Sequence, residues 1–366
     1  MRIITGLILF LFLAGHLSNM ALGVFSIEWV EASRPVFMMF WSTFVGGNIL
    51  VGAMIIHVFL GMQSLYLRNT LQMSSYDVIQ FASALLIMPL LIPHAWGIIG
   101  GVALLNYKPT FPLMLQLFWI DTPLEGLRQV LLVVVAWVHA CIGLFTWLKL
   151  KVWWPRIAPF TYPLAVAIPV LALLGFAEGG NSALALLQAG TVLPIQPADP
   201  AVQLDGVTFS ENFAFLTTVK WGMLYGYCIL VAAVMIARFI RLRAIIGMVE
   251  IHYQNDDGTS KSIRTKAGAS LLEIAIMNDI PHANLCRGRG RCGTCRVLVE
   301  NSSGTISQPS DLEQATLTRL NCPSGVRLAC QLKPKVGSIH IKPLMEPDVE
   351  TKNLHDTTTG EEVLAQ

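Results

Sequence analysis

The sequence predicts a chain of two parts: an α-helical membrane bundle of six transmembrane helices over residues 1–240, and a small α+β domain over 248–345. Three observations lead there. First, 54% of the 366 residues are hydrophobic and only 13% are charged, where a soluble domain carries about a quarter charged residues. Second, the apolar residues form long runs within 1–247, whereas 248–366 reads as an ordinary polar segment with a tail. Third, four of the seven cysteines stand in a metal-like pattern near the C-terminal end. The net charge of +2 is small and implies no nucleic-acid partner.

Crossing a bilayer takes about 20 apolar residues in a helix. Six runs qualify, at 3–24, 43–66, 81–104, 129–149, 160–177 and 213–237. Arg2 ahead of the first run imitates a signal peptide, but the run is long, contains His16 and is followed by five more, so it is expected to stay as a span. Loop charges set the orientation. Arg2, Arg68, Lys149, Lys151, Arg156, Arg238, Arg241 and Arg243 mark one side. Acidic Glu28, Glu31, Asp121, Glu125, Glu178, Asp199, Asp205 and Glu211 dominate the other, with Arg34, Lys108 and Arg128 among them. A multi-pass protein of the cell (inner) membrane is expected, with both termini and the C-terminal domain in the cytoplasm and segment 178–212 outside. Trp29, Trp41, Trp119, Trp153 and Trp154 suit an aromatic belt. Phe111 to Ile120 suits an interfacial helix that could wall a quinone pocket, with Asp121, Glu125 and Arg128 beside it.

The first four runs each hold one histidine, His16, His57, His94 and His139, and the last two hold none. Ionisable groups inside a membrane are costly and point to function. His57 lies eleven residues before Arg68 and His139 ten before Lys149, roughly 15–17 Å from the cytoplasmic charges at about 1.5 Å per residue. His16 lies fourteen residues after Arg2 and His94 seventeen after Asp77, roughly 21–26 Å from that side. The histidines therefore sort into an inner pair, His57 with His139, and an outer pair, His16 with His94. Two imidazoles at one depth on different helices can ligate one haem iron axially. With no C-x-x-C-H in the chain, two non-covalent b-type haems are expected. This arrangement resembles the dihaem cytochrome b anchors of succinate and fumarate:quinone oxidoreductases, which pair the first helix with the third and the second with the fourth. The resemblance covers residues 1–150.

In the polar part, VEIHYQ alternates as a strand does, Asn255 to Lys261 reads as a hairpin turn, and Ser270 to Asp279 reads as an amphipathic helix. The segment LCRGRGRCGTCRVLVE then spaces Cys286, Cys292 and Cys295 as C-x5-C-x2-C, with a further cysteine downstream at Cys322 or Cys330. Four thiolates bind an iron–sulfur cluster. Gly288, Gly290 and Gly293 let the backbone approach such a cluster, and Arg287, Arg289, Arg291 and Arg296 suit its negative charge. A structural zinc site is the competing reading, but zinc sites usually show two short C-x-x-C knuckles and this chain has one.

Residues 248–345 resemble adrenodoxin-type [2Fe–2S] ferredoxins in the C-x5-C-x2-C spacing, in SQPSDLEQATL (the helix those proteins carry before their fourth ligand) and in RLACQ. That resemblance implies a β-grasp fold, a [2Fe–2S] cluster and Cys330 as the fourth ligand. The six spans followed by CRGRGRCGTC and VRLACQL also look like the N-terminal region of bacterial membrane-bound class III adenylate cyclases. Only 21 residues follow Met345, a polar tail expected to be disordered and too short for a cyclase core, so cyclase activity is not expected. No nucleophile–base set, phosphate loop or nicotinamide fingerprint stands out. Together these resemblances imply electron transfer between a cytoplasmic cluster, the haems, quinone and a cytoplasmic redox partner. The alternative is a redox or ligand sensor that regulates a separate cyclase.

Overall fold

The computed structural model describes residues 1–151, 153–190, 196–203, 205–245, 247–254 and 260–347. They divide into two compact units. The first gathers Met1–Leu65, Ser75–Leu144 and Arg156–Val234, and the second gathers Tyr66–Ser74, Phe145–Pro155 and the described residues from Met235 to Pro347. The second unit thus also takes in two short segments from the first half of the chain. Most of the expected hairpin turn, 255–259, lies outside the described residues, as does the tail from 348.

Helices α1 (Arg2–Ala21), α2 (Ile27–Met38), α3 (Phe44–Leu67), α4 (Ser75–Leu105), α5 (Phe111–Gln116), α6 (Pro123–Leu148), α7 (Trp154–Gln188) and α8 (Gly206–Arg243) follow in order. Six segments, α1 with the turn after it and α3, α4, α6, α7 and α8, are long and apolar enough to cross a membrane. Small residues let them approach closely. A Cβ on Gly175 would run into the Met20 carbonyl, and one on Gly23 would meet the Gly175 carbonyl at 2.9 Å. Pro93, inside α4, cannot donate to the carbonyl of Pro89, and the neighbouring Leu90 carbonyl accepts from Arg128 Nη1 at 2.8 Å.

The helices outrun the apolar stretches. Helix α7 continues to Gln188 and α8 starts at Gly206, so much of the expected outer segment 178–212 is helical. The reason is packing. Gly179 and Gly180 sit where any Cβ would strike Leu115 and the Trp119 ring, so this turn of α7 seats α5 and the π-helical turn after it. Hydropathy marks only the apolar middle of such a helix. The tryptophans divide similarly: Trp29 is 60% and Trp153 45% exposed, whereas Trp154 is 8% exposed and packs beside Phe145.

The second unit holds a six-stranded mixed sheet and two short helices. Strands β1 (Met248–Gln254) and β2 (Ser260–Lys266) precede α9 (Leu271–Met277). Then come β3 (Arg296–Ser302), β4 (Thr305–Ile306), α10 (Asp311–Arg319), β5 (Val326–Leu328) and β6 (Pro334–Pro343). The order is β2-β1-β6-β3-β5, with β4 also on β6. First and last strands run parallel at the centre, Ile251 facing Ile339, and the other pairings are antiparallel. Val249, Ile251 and Tyr253 alternate inward on β1 and meet Leu271, Leu272, Ile274 and Ala275 of α9. Each large apolar side chain buried there contributes about 1.5–3 kcal/mol. Helix α9 starts at a capping box: Ser270 Oγ accepts from Glu273 N, and the Glu273 carboxylate accepts from Ser270 N at 3.0 Å.

Candidate metal centres

The loop from Leu285 to Cys295 joins α9 to β3. Arg287, Gly288, Gly290 and Gly293 all have positive φ, which curls it tightly. At Gly293, with φ +79°, an added Cβ would also collide with Leu320, so only glycine serves. Thr316 Oγ1 donates to the Gly290 carbonyl at 2.6 Å and Arg319 Nη2 to the Arg291 carbonyl at 2.6 Å, tying the loop to α10. Opposite it, Ala329 N bonds Cys295 O at 2.8 Å, while Leu271 N and Leu272 N donate to Leu332 O and Ala329 O. Those three bonds hold the turn that carries Cys330. A buried Arg327–Glu313 pair, 2.8 Å at its closest, anchors the strand before that turn.

This scaffold buries all four thiols, with Cys286 1%, Cys292 3%, Cys295 2% and Cys330 8% exposed. They fall into two pairs. Cys286 shares a hydrogen bond with Cys292, and Cys295 shares one with Cys330. The shared proton pulls Cys286 and Cys330 down and pushes Cys292 and Cys295 up. Donors surround the sulfurs: Arg291 N lies 3.5 Å from Cys286 Sγ, Cys286 N 3.4 Å from Cys292 Sγ, and Gln331 Nε2 3.5 Å from Cys330 Sγ. Thr294 Oγ1 lies 3.1 Å from Cys292 Sγ. Cys322 stays apart, half-buried, 4.0 Å from Arg296 Nη1. Four buried thiols from this loop and the turn after β5 make the all-thiolate donor set that an iron–sulfur cluster takes.

In the helical unit, the His16 and His94 rings lie 6.3 Å apart centre to centre, and those of His57 and His139 lie 6.4 Å apart. Thr5 Oγ1 is 3.0 Å from His57 Nδ1. Ser83 Oγ and the Gln80 carbonyl are 3.1 and 3.2 Å from His139 Nδ1. Phe12 stacks on His16, and His94 Nδ1 is buried with no hydrogen-bond partner among the described residues. No motif had marked Thr5, Gln80 or Ser83; they become visible only because their helices meet. The acidic and basic residues near Phe111–Ile120 pair with their neighbours. Glu31 accepts from Phe111 N, Arg34 Nη1 donates to Pro109 O at 2.8 Å, and Glu125 pairs with Arg128.

Residues 254–335 match the 2Fe-2S iron-sulfur cluster binding domain model. A Rickettsia conorii 2Fe-2S ferredoxin is 30% identical over 88 residues, which are 24% of this chain and 79% of that protein. A component of the Klebsiella pneumoniae Na(+)-translocating NADH-quinone reductase is 39% identical over 88 residues. The chain spans only 20% of that component's length.

Proposed function

This chain belongs, through its C-terminal domain, to the [2Fe–2S] ferredoxin family, and on that premise we propose that it is a membrane-bound electron carrier linking a cytoplasmic [2Fe–2S] cluster to b-type haems and quinone. The observation that carries this reading is the set of four buried thiols, Cys286, Cys292, Cys295 and Cys330, gathered by one glycine-rich loop and the hydrogen-bonded turn after β5. When bound, the cluster supplies one-electron transfer. The chain's own residues do the rest. The thiolates hold the irons, and the amides of Cys286 and Arg291 with Thr294 and Gln331 offer hydrogen bonds to the sulfurs. Leu272, buried beside Gly288, helps keep water out. The parallel pairing of β1 with β6 and the crossing α9 agree with a β-grasp domain.

Spacing favours the haems. An iron between two imidazoles needs ring centres roughly 6–6.5 Å apart, from two metal–nitrogen bonds of about 2 Å and two ring radii of about 1.1 Å. The pairs at 6.3 and 6.4 Å meet that spacing. On His57 the Thr5 hydrogen bond at Nδ1 leaves Nε2 as the ligand nitrogen; on His139 Nδ1 lies against Ser83 and the Gln80 carbonyl, and Nε2 lies 3.3 Å from Gln80 Nε2, an amide that an iron at Nε2 would displace. The NADH-quinone reductase relatives carry a quinone in their name, which supports quinone as the membrane-side partner. Loop charges support cytoplasmic termini and a cytoplasmic cluster.

The test is chemical. Anaerobically purified protein should hold about two acid-labile sulfides per chain, as one [2Fe–2S] centre requires. The reduced cluster should be reoxidised by a short-chain benzoquinone in detergent. Absence of labile sulfide would refute the cluster. Sulfide present with no oxidation by quinone would refute the membrane-side partner.

A further inference from the structure

The Glu273 carboxylate does more than cap a helix. A capping box uses it only to accept from the backbone of the residue at the cap. Here Oε2 also accepts from Ser270 Oγ at 3.1 Å and from Asn69 Nδ2 at 2.9 Å, while Oε1 accepts from Asn69 N at 3.1 Å. Asn69 Nδ2 lies 3.3 Å from the Gly268 carbonyl as well. Asn69 stands 204 residues away, just past the end of α3. The carbonyls of Arg68 and Asn69, left without helical partners there, accept from Arg238 Nε at 2.9 Å and Arg238 Nη2 at 3.1 Å. Arg241 Nη2 adds a bond to Arg68 O at 3.1 Å. Three segments of one compact unit therefore close on a carboxylate and a guanidinium: the start of α9, the loop after α3 and the end of α8.

The joint touches functional parts at both ends. Through Leu271 N and Leu272 N, α9 holds the turn that carries Cys330. On its other side Asn69 follows α3, the helix that carries His57. A carboxylate withdrawn from water is costly unless donors surround it, and the loop supplies two of its donors. Removing the Asn69 side chain would leave the α9 cap intact and loosen only the join.

We propose that Glu273 and Asn69, with Arg238, form a joint inside the second unit that fixes α9 to the loop after α3 and the end of α8, and that electron transfer from the cluster to quinone depends on it. The proposal rests on the electron-transfer reading above. Among the described residues neither side chain hydrogen-bonds a cluster ligand, so both act by position.

The test uses the full-length protein in detergent with its cluster assembled. Asn69→Asp sets two carboxylates against each other and Glu273→Gln sets two amides together. The double variant again opposes one amide to one carboxylate. Three quantities are read for each protein: hydrogen exchange of segment 66–74, the cluster's midpoint potential by EPR titration, and the rate at which the reduced cluster is reoxidised. Ferricyanide, which reaches the cluster from solvent, and a short-chain benzoquinone serve as separate acceptors. In each single variant exchange should speed by about tenfold. Reoxidation by the quinone should slow by about tenfold or more, as misplacement by an ångström would produce. The potential and the ferricyanide rate should stay at wild-type values, and the double variant should recover a good part of both losses. Faster exchange with an unchanged quinone rate would overturn the proposal while leaving the electron-transfer function standing. Unchanged exchange would overturn the joint itself. A wild-type protein oxidised by ferricyanide but inert to quinone would overturn the quinone reading, and the proposal with it. A shifted potential would assign Glu273 to the cluster's surroundings and overturn the positional role.

Discussion

Glu313 should be the most costly single carboxylate to remove. Its side chain is 0% exposed and that of its partner Arg327 is 10% exposed. Arg327 Nε and Nη2 donate to it at 2.8 and 3.0 Å, and Leu328 N donates at 2.9 Å. Arg327 Nη1 donates onward to Ser307 O at 2.9 Å. Glu313→Leu strands a buried guanidinium and a backbone N–H. Breaking a buried ion pair from one side costs about 3–5 kcal/mol, where replacing both partners costs far less. A domain of this size loses roughly 4–8 °C of melting temperature per kcal/mol, so the single variant should melt at least roughly 12 °C lower. The effect should reach the metal centre, since Leu328 lies two residues before Cys330. The assay is loss of the cluster's visible absorbance on slow anaerobic heating. Adding Arg327→Met should recover part of the loss because no charge is left stranded. It should not recover all, since Leu328 N and Ser307 O still lack their partners. A Glu313→Leu protein melting within a degree or two of wild type would refute the reasoning.

Three further outcomes are expected. Cys330→Ser should abolish the [2Fe–2S] EPR signal while Cys322→Ser keeps it; the reverse would move the fourth ligand to Cys322. A reduced-minus-oxidised spectrum should show b-type haem at about two per chain, if each bis-histidine pair holds one, with His57→Ala or His139→Ala removing one haem and His16→Ala or His94→Ala the other. Protein with no haem signal would reduce these pairs to packing. Finally, burial alone would raise the Glu273 carboxyl, but the hydrogen bonds from Asn69 and Ser270 outweigh it and hold it below its ordinary 4.5. A group depressed on folding adds stability that is complete above the unfolded value and lost as pH falls through the folded one. Protection of segment 66–74, its hydrogen exchange divided into the intrinsic rate at each pH, should therefore stay flat at neutral pH and fall in acid below about pH 4.5, and the fall should shrink in Asn69→Ala; an identical acid response in both proteins would refute this.

Local chemistry alone determined a good deal of this protein. Six apolar runs, one histidine in each of the first four, and C-x5-C-x2-C between a helix and a strand are all visible along the chain. Hydropathy, ligand chemistry and periodicity act over a few residues, so they survive in one dimension. Helix α9 was legible for the same reason, its apolar face lying within seven residues, Leu271 to Met277. The tertiary structure decided what depends on distant partners. The length of α7 follows from packing as well as hydropathy, as Gly179 and Gly180 beneath Leu115 and Trp119 demonstrate. Trp154 reads as an interface residue by position, yet it is buried. The thiols divide as Cys286 with Cys292 and Cys295 with Cys330 because the turn after β5 is hydrogen-bonded to β3 and α9. Asn69 and Glu273 meet across 204 residues. No local pattern announces such a pair, because a buried carboxylate is stabilised by whichever donors the fold brings to it, and those donors are chosen by the path of the whole chain.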